Sequence, residues 1–293
     1  MERTYLQQIK VIALALCVGV LPFLYCTSAY AQEGEVESQK SKVESQWLDD
    51  YHAHVGLTYG ASAVVQTTYL WRGLYAGGMN TQIDANVGYG GLYFDLWWNI
   101  GVTDWTFRTF EPEVDLTLGF SRWGLNISLL YIYNFNCGFF DFGAYLDKGN
   151  RLDLNLRYTI SSKLPLSFLW TTRIAAADHY IGANGELVRA YSSYAEISYT
   201  HHFPYDISLY GAFGITPWRS LYTGYERGFA VQNIELRLRK DWSVAEHCGL
   251  MIQGVLAVNP SALAADKATA QWLPKAPWDQ AINANIAFGV YLK

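Results

Sequence analysis

Twelve segments of this chain alternate residue by residue between apolar and polar side chains, each over about 10–13 residues. They lie near 62–73, 79–90, 92–102, 111–122, 125–135, 150–161, 165–176, 189–201, 205–216, 229–240, 248–258 and 281–292. A pleated strand sends successive side chains to opposite faces, so each segment has one apolar side and one polar side. In the third segment Leu92, Phe94, Leu96, Trp98 and Ile100 share one face, and Tyr93, Asp95, Trp97 and Asn99 share the other. Ordinary globular strands average about 5–6 residues, whereas a tilted strand crossing a bilayer needs about 9–11. The lengths therefore predict an all-β fold, a single antiparallel up-and-down transmembrane β-barrel of about twelve strands.

The connections support the same fold. Gly90-Gly91, Trp123-Gly124, Ser161 to Leu164, His202-Phe203-Pro204 and Asp241 to His247 are tight. They alternate with longer stretches at Leu74 to Met79, Thr103 to Phe110, Asn136 to Gly149, Ala177 to Val188, Pro217 to Gly228 and Asn259 to Gln280. Outer-membrane barrels have short periplasmic turns and long external loops, and an even strand number leaves both termini periplasmic. A two-sheet soluble sandwich is the alternative. Against it stand the strand lengths and the aromatics at strand ends. Tyr69, Trp71, Tyr131 and Tyr133 are expected at the outer rim. Tyr89, Trp123, Tyr158, Tyr199, Phe203 and Trp242 are expected at the inner rim. The lysines are expected in turns, loops or termini.

Composition removes other classes. The chain is 51% hydrophobic, 16% aromatic and 16% charged, with mean hydropathy +0.02. Disordered chains are far less apolar. Helical membrane proteins need several spans of about 20 apolar residues, which that mean hydropathy does not supply. A net charge of −5 without a basic patch gives no reason to expect nucleic acid as a partner.

Residues 1–31 have the layout of an export signal. Arg3 and Lys10 precede an uncharged apolar run from Val11 to Leu24, and Ala29-Tyr30-Ala31 supplies the small residues of a cleavage site. Residues 32–61 read as a polar periplasmic leader, and 62–293 as the barrel. Cys137 and Cys248 remain after cleavage and are expected at opposite ends of the barrel, too far apart for a disulfide. No Cys/His cluster has metal-ligand spacing, and no cofactor is expected.

Strand parity places Arg72, Asp84, Asp95, Glu113, Asp115, Asp153, Arg157, Arg173, Glu196, Glu235, Arg237 and Arg239 on the pore-lining face, with Glu111, Arg151 and Asp206. The acids Asp84, Asp95, Glu113 and Asp115 are expected to oppose Arg157, Arg173, Arg237 and Arg239. Such opposed walls would orient charged or polar solutes in a constriction. The structural alternative is that Arg–carboxylate pairs knit a narrow lumen shut. About eight strands are filled by side chains and 16–18 leave a broad channel, so twelve are intermediate.

Catalytic signatures are lacking: there is no Gly-x-Ser-x-Gly, P-loop or dinucleotide fingerprint. Asp178-His179 with Ser192 or Ser193 is the one constellation from which a rim hydrolase acting on lipid could be built. No enzyme activity is expected.

Thr68-Tyr69-Leu70-Trp71-Arg72-Gly73, followed by Thr81-Gln82 and then Gly90-Gly91-Leu92-Tyr93-Phe94, resembles the TorF-like family of bacterial outer-membrane β-barrels, which are classed as porins. The likeness covers mainly residues 62–100 and departs at Ile83, where the family carries proline. It implies a barrel in the Gram-negative outer membrane, with Tyr69 and Trp71 in the outer girdle and Arg72 pointing into the mouth. The last segment alternates through Leu292 but ends in Lys293, where such barrels usually end in an aromatic. The expected function is a narrow porin-like channel for passive uptake of small polar solutes. The expected partners are outer-membrane lipid, the barrel insertion machinery and an unknown small polar solute. A non-conducting structural or surface-interaction barrel is the second expectation.

Overall fold

The structure is a computed structural model that describes residues 56–102, 110–135, 137–142, 149–176, 178–263 and 281–292. The expected signal segment, most of the leader and the Glu111 side chain lie outside these residues. Sixteen strands are described. The first half of the chain contributes β1 (Leu57–Gln66), β2 (Tyr69–Trp71), β3 (Leu74–Gly77), β4 (Asn80–Tyr89), β5 (Leu92–Val102), β6 (Phe110–Arg122), β7 (Leu125–Tyr133) and β8 (Arg151–Thr159). The second half contributes β9 (Leu166–Ala175), β10 (His179–Ile181), β11 (Leu187–Arg189), β12 (Ser193–Phe203), β13 (Ile207–Thr216), β14 (Ala230–Ala245), β15 (Cys248–Val258) and β16 (Ile282–Leu292). One helical turn, α1 (Pro260–Leu263), follows β15.

Twelve of these strands close a barrel in the order β1, β4, β5, β6, β7, β8, β9, β12, β13, β14, β15, β16, with β16 hydrogen-bonded back to β1. Every neighbouring pair is antiparallel, so the ring is an up-and-down barrel with no free edge to aggregate. β2–β3 and β10–β11 are separate two-stranded hairpins inserted between barrel strands. One end of the barrel carries tight turns. Gly90 and Gly91 have φ of 60° and 96°, and Trp123 and Gly124 have φ of 56° and 77°. Positive φ at both central residues suits the twist of a two-residue hairpin. The other end carries the long excursions.

The outward face is apolar. Leu92, Phe94, Leu96, Trp98, Leu118, Leu154, Leu156, Phe168, Ile234, Leu236, Leu238, Ile286 and Phe288 are all exposed. On strands of about ten residues this is a wall for hydrocarbon, with polar partners turned to the lumen. Tyr89, Trp123, Tyr158, Tyr199, Phe203 and Trp242 are exposed at the tight-turn end, as the rim pattern predicts. Among the described residues no helix is long and apolar enough to cross a membrane, which says nothing of crossing by strands.

Four expectations change. The first strand lies at 57–66 instead of 62–73, so residues 57–61 belong to the barrel and residues 69–77 form the β2–β3 hairpin. Tyr69 and Trp71 therefore leave the outer girdle and turn into the lumen, because their alternation belongs to that hairpin and not to the wall. Tyr131 faces outward but is only 4% exposed. The segment after β7 folds back over it, with Phe139, Phe140 and Phe142 at ring distances of 5.1, 4.8 and 5.9 Å. Lys240 lies inside β14, which runs five residues past its expected end. Its amine reaches the Tyr205 carbonyl oxygen and sits 5.5 Å over the Trp242 ring, so the charge snorkels to the tight-turn rim.

Candidate functional site

The lumen is polar, and the β2–β3 hairpin crosses it. In a ring of twelve, the strands opposite β1 and β4 are β9 and β12. The hairpin is rooted between β1 and β4, and its tip reaches those opposite strands. Arg72 and Gly73 form the tip, with φ of 52° and 78°. A Cβ at Gly73 would lie 2.3 Å from the Gln232 carbonyl oxygen, so only glycine fits against β14 there. Twelve strands about 4.8 Å apart, tilted about 40°, enclose a ring roughly 24 Å across. Extended chain from Gln66 to Arg72 covers at most about 20 Å, and the arginine side chain supplies the remaining reach.

Arg72 is held on several sides. Its Nη1 donates to the Tyr222 hydroxyl and lies 3.6 Å from Asp153 Oδ2. Its Nη2 donates to Thr171 Oγ1 at 3.3 Å and Asn155 Oδ1 at 3.5 Å. The guanidinium carbon lies 4.5 Å from the Trp71 ring and 5.5 Å from the Tyr194 ring. Below the tip, Leu74, Tyr194 and Tyr222 form a buried apolar cluster. Tyr194 can lie flat there because its neighbour on β13 is Gly214, where a Cβ would be 2.1 Å from the tyrosine oxygen. At the hairpin's base Tyr69 donates to Glu113 Oε1 at 2.8 Å and packs on Trp97 at 5.6 Å between ring centroids.

The expected pore-lining residues divide into groups. Asp153 is 1% exposed and pairs with Arg173 of β9 at 3.0 Å as well as with Arg72. On β14, Arg237 pairs with Glu235 at 2.5 Å, and Arg239 pairs with Asp241 at 2.7 Å. Glu196 of β12 accepts hydrogen bonds from Tyr194 at 2.5 Å and Tyr210 at 2.8 Å. Glu113 also accepts from Asn134 Nδ2 at 2.5 Å. Arg157 projects near Tyr210 and, among the described residues, has no carboxylate in ion-pair range. Asp84 and Asp95, on β4 and β5, lie diagonally across one strand pair, a layer apart. Of the arginines expected to oppose the acidic wall, Arg173, Arg237 and Arg239 are paired with carboxylates on their own or adjoining strands. Two residues of the parity reading also move. Asp206 is an exposed turn residue with φ of 55°, not a lumen group. Asp241, which parity did not single out, is the partner of Arg239 inside the barrel.

The rim constellation forms a structural tie. Ser192 is 2% exposed; its hydroxyl donates to Asp178 Oδ1 at 2.5 Å and accepts from the Leu221 N–H at 2.8 Å. Tyr225 donates to the same carboxylate oxygen at 2.9 Å, and burial and that carboxylate push its phenol pKa up. The serine oxygen is committed to joining the β9–β12 and β13–β14 excursions, with no histidine in its hydrogen bonds. That is not a nucleophile–base arrangement. Neither Cys137 nor Cys248 is in a disulfide.

Sequence reasoning missed the hairpin. The available signal was Arg72-Gly73 flanked on both sides by β-forming residues, Tyr69-Leu70-Trp71 and Leu74-Tyr75, which is a hairpin layout in its own right.

No protein-family model matches the chain, and no curated protein does. Among solved structures 55 chains match. The NanC porin in a rhombohedral crystal form is 11% identical at a TM-score of 0.46, covering 80% of this chain and 100% of that one. OmpF of Salmonella typhi in complex with daunomycin is 8% identical at a TM-score of 0.36, covering 80% of this chain and 97% of that one. OmpT of Vibrio cholerae, with its loop L8 deleted, is 8% identical at a TM-score of 0.29, covering 80% and 98%. At these TM-scores the neighbours carry no argument about pore or solute. The barrel rests on its own closed ring of hydrogen-bonded strands.

Proposed function

We propose that the protein is a narrow outer-membrane channel for passive uptake of small polar solutes, with the β2–β3 hairpin as its internal constriction. The single observation that carries this reading is a closed twelve-stranded barrel with an apolar exterior and a polar lumen crossed by one hairpin. A hairpin across a barrel of this intermediate size narrows its aperture toward small solutes. The tight-turn end is assigned to the periplasm with both termini, and the long excursions to the outside. Outer-membrane lipid and the barrel insertion machinery are the partners this assignment requires. The TorF-like resemblance supports the same location through its short motif alone. Enzymatic chemistry is not part of the proposal.

The second reading is a non-conducting barrel, and the locked Arg72 tip is the observation that favours it. Planar-bilayer recording of purified protein separates the two. Discrete conductance steps support the channel. Their absence across salts and voltages supports the closed barrel and sinks the channel.

A further inference from the structure

We infer that the inward face of β4, β5 and β6 is a cation-attracting wall, so that the solutes favoured by this lumen are small cations. The inference deepens the channel reading and rests on it for the step from wall to transported solute.

The strand register sets the groups side by side. Asp84 of β4 and Asp115 of β6 flank Trp97 of β5 in one layer. Asp95 lies one layer nearer the tight-turn end, opposite Asn86 and Thr117. Asn99 lies one layer nearer the other end, between Gln82 and Glu113. Two carboxylates in one inward-facing layer attract a cation. Tyr69 of the hairpin closes on Trp97 from the lumen side.

Further observations bear on the sign of the wall. Arg237 and Arg239 are each matched by a carboxylate, Glu235 and Asp241, at 2.5 and 2.7 Å, while Arg173 and Arg72 share Asp153 at 3.0 and 3.6 Å on the far side of the lumen. Asp84 and Asp95 have no cation in ion-pair range among the described residues. Arg151 of β8 lies close enough to Glu113 and Asp115 to offset part of their charge. Finally, Asn99 is 4% exposed, and its Oδ1, on the inward row beside Glu113, has no hydrogen-bond partner. Asp115 Oδ1 is unpartnered in the same way. Buried acceptor oxygens without donors are costly, and they leave negative potential on this face that a cation relieves. Among the described residues no three His, Cys, Asp or Glu side chains converge on a metal position. The wall therefore attracts mobile cations without chelating one.

Labelling tests the wall apart from conduction. Gln82→Cys in a Cys137→Ser/Cys248→Ser background is treated with cationic and anionic methanethiosulfonate reagents. A carboxylate-lined cleft raises local cation concentration by at least about tenfold, and the cationic reagent should react faster by that factor. Adding Asp84→Asn/Asp95→Asn should reduce the ratio at least threefold. Equal rates, a faster anionic reagent, or no reaction with either while the unfolded chain labels would overturn the inference. Reversal potentials in a KCl gradient then read the transport step. Cation preference that collapses toward zero in Asp84→Asn/Asp95→Asn supports it, and anion preference overturns it. A barrel that keeps the labelling preference but shows no conductance loses the channel reading while the wall stands.

Discussion

Asp153 lies between two arginines, 3.0 Å from Arg173 and 3.6 Å from Arg72, on the side of the lumen formed by β8 and β9. On the side formed by β4 and β5, Asp84 and Asp95 lie a layer apart, with no cation in ion-pair range among the described residues. Both sets are aspartates on inward positions of barrel strands, and parity alone does not separate them. One set is consumed in holding the hairpin tip, and the other is left on the inward face without a cation partner among the described residues. Lumen charge in this barrel therefore does two different jobs, and partners, not residue types, decide which.

Substitutions can break that contrast, beginning with the largest effect. Asp153→Asn leaves Arg72 and Arg173 buried without a carboxylate, and breaking such a set costs about 3–5 kcal/mol. Denaturant unfolding of the detergent-solubilised barrel should show that loss, and a loss below about 1 kcal/mol would remove Asp153 from its structural role. Leu236→Arg puts a charge on the lipid face near the middle of β14 and should cost about 2–4 kcal/mol in bilayers. The adjacent Arg237 sits inside without such a cost, so equal tolerance at both positions would argue against a lipid-facing exterior. Gly73→Ala forces a methyl against the Gln232 carbonyl at positive φ and should cost about 1–3 kcal/mol, with larger conductance as the tip lifts away. Asp95→Asn should change stability by less than about 0.5 kcal/mol while it shifts ion preference. A large stability loss there would place Asp95 with Asp153 as a structural group.

The wall was largely legible in the sequence, because period-two alternation at membrane length fits few other folds. The strands from β4 to β9 lie within about two residues of their expected bounds, and β5 and β15 match at both ends. The hairpin was legible only as a local turn layout at Arg72-Gly73, and its departure from the wall was not. Tyr69, Leu70, Trp71 and Arg72 alternate in a way that continues β1, and alternation does not say whether a strand stays in the wall or leaves it at Thr67. Inward pointing was readable for Asp84, Asp95, Glu113, Asp153 and Arg237, since parity alone fixes the face. Pairing was not readable, since it depends on register between strands and on a hairpin whose tip contacts residues about 80 to 150 positions away. Ser192 shows the same limit: near His179 in sequence, its hydroxyl is taken by Asp178 and the Leu221 amide.

Crossing of the lumen by the β2–β3 hairpin is the central claim. Its most direct test is the single-channel conductance of the intact protein beside a variant in which residues 68–77 are replaced by a short Gly-Ser linker. Both must still show the heat-dependent gel shift of a folded barrel. With the constriction removed, conductance should rise several-fold. A folded variant whose conductance is unchanged would contradict the hairpin's place across the lumen.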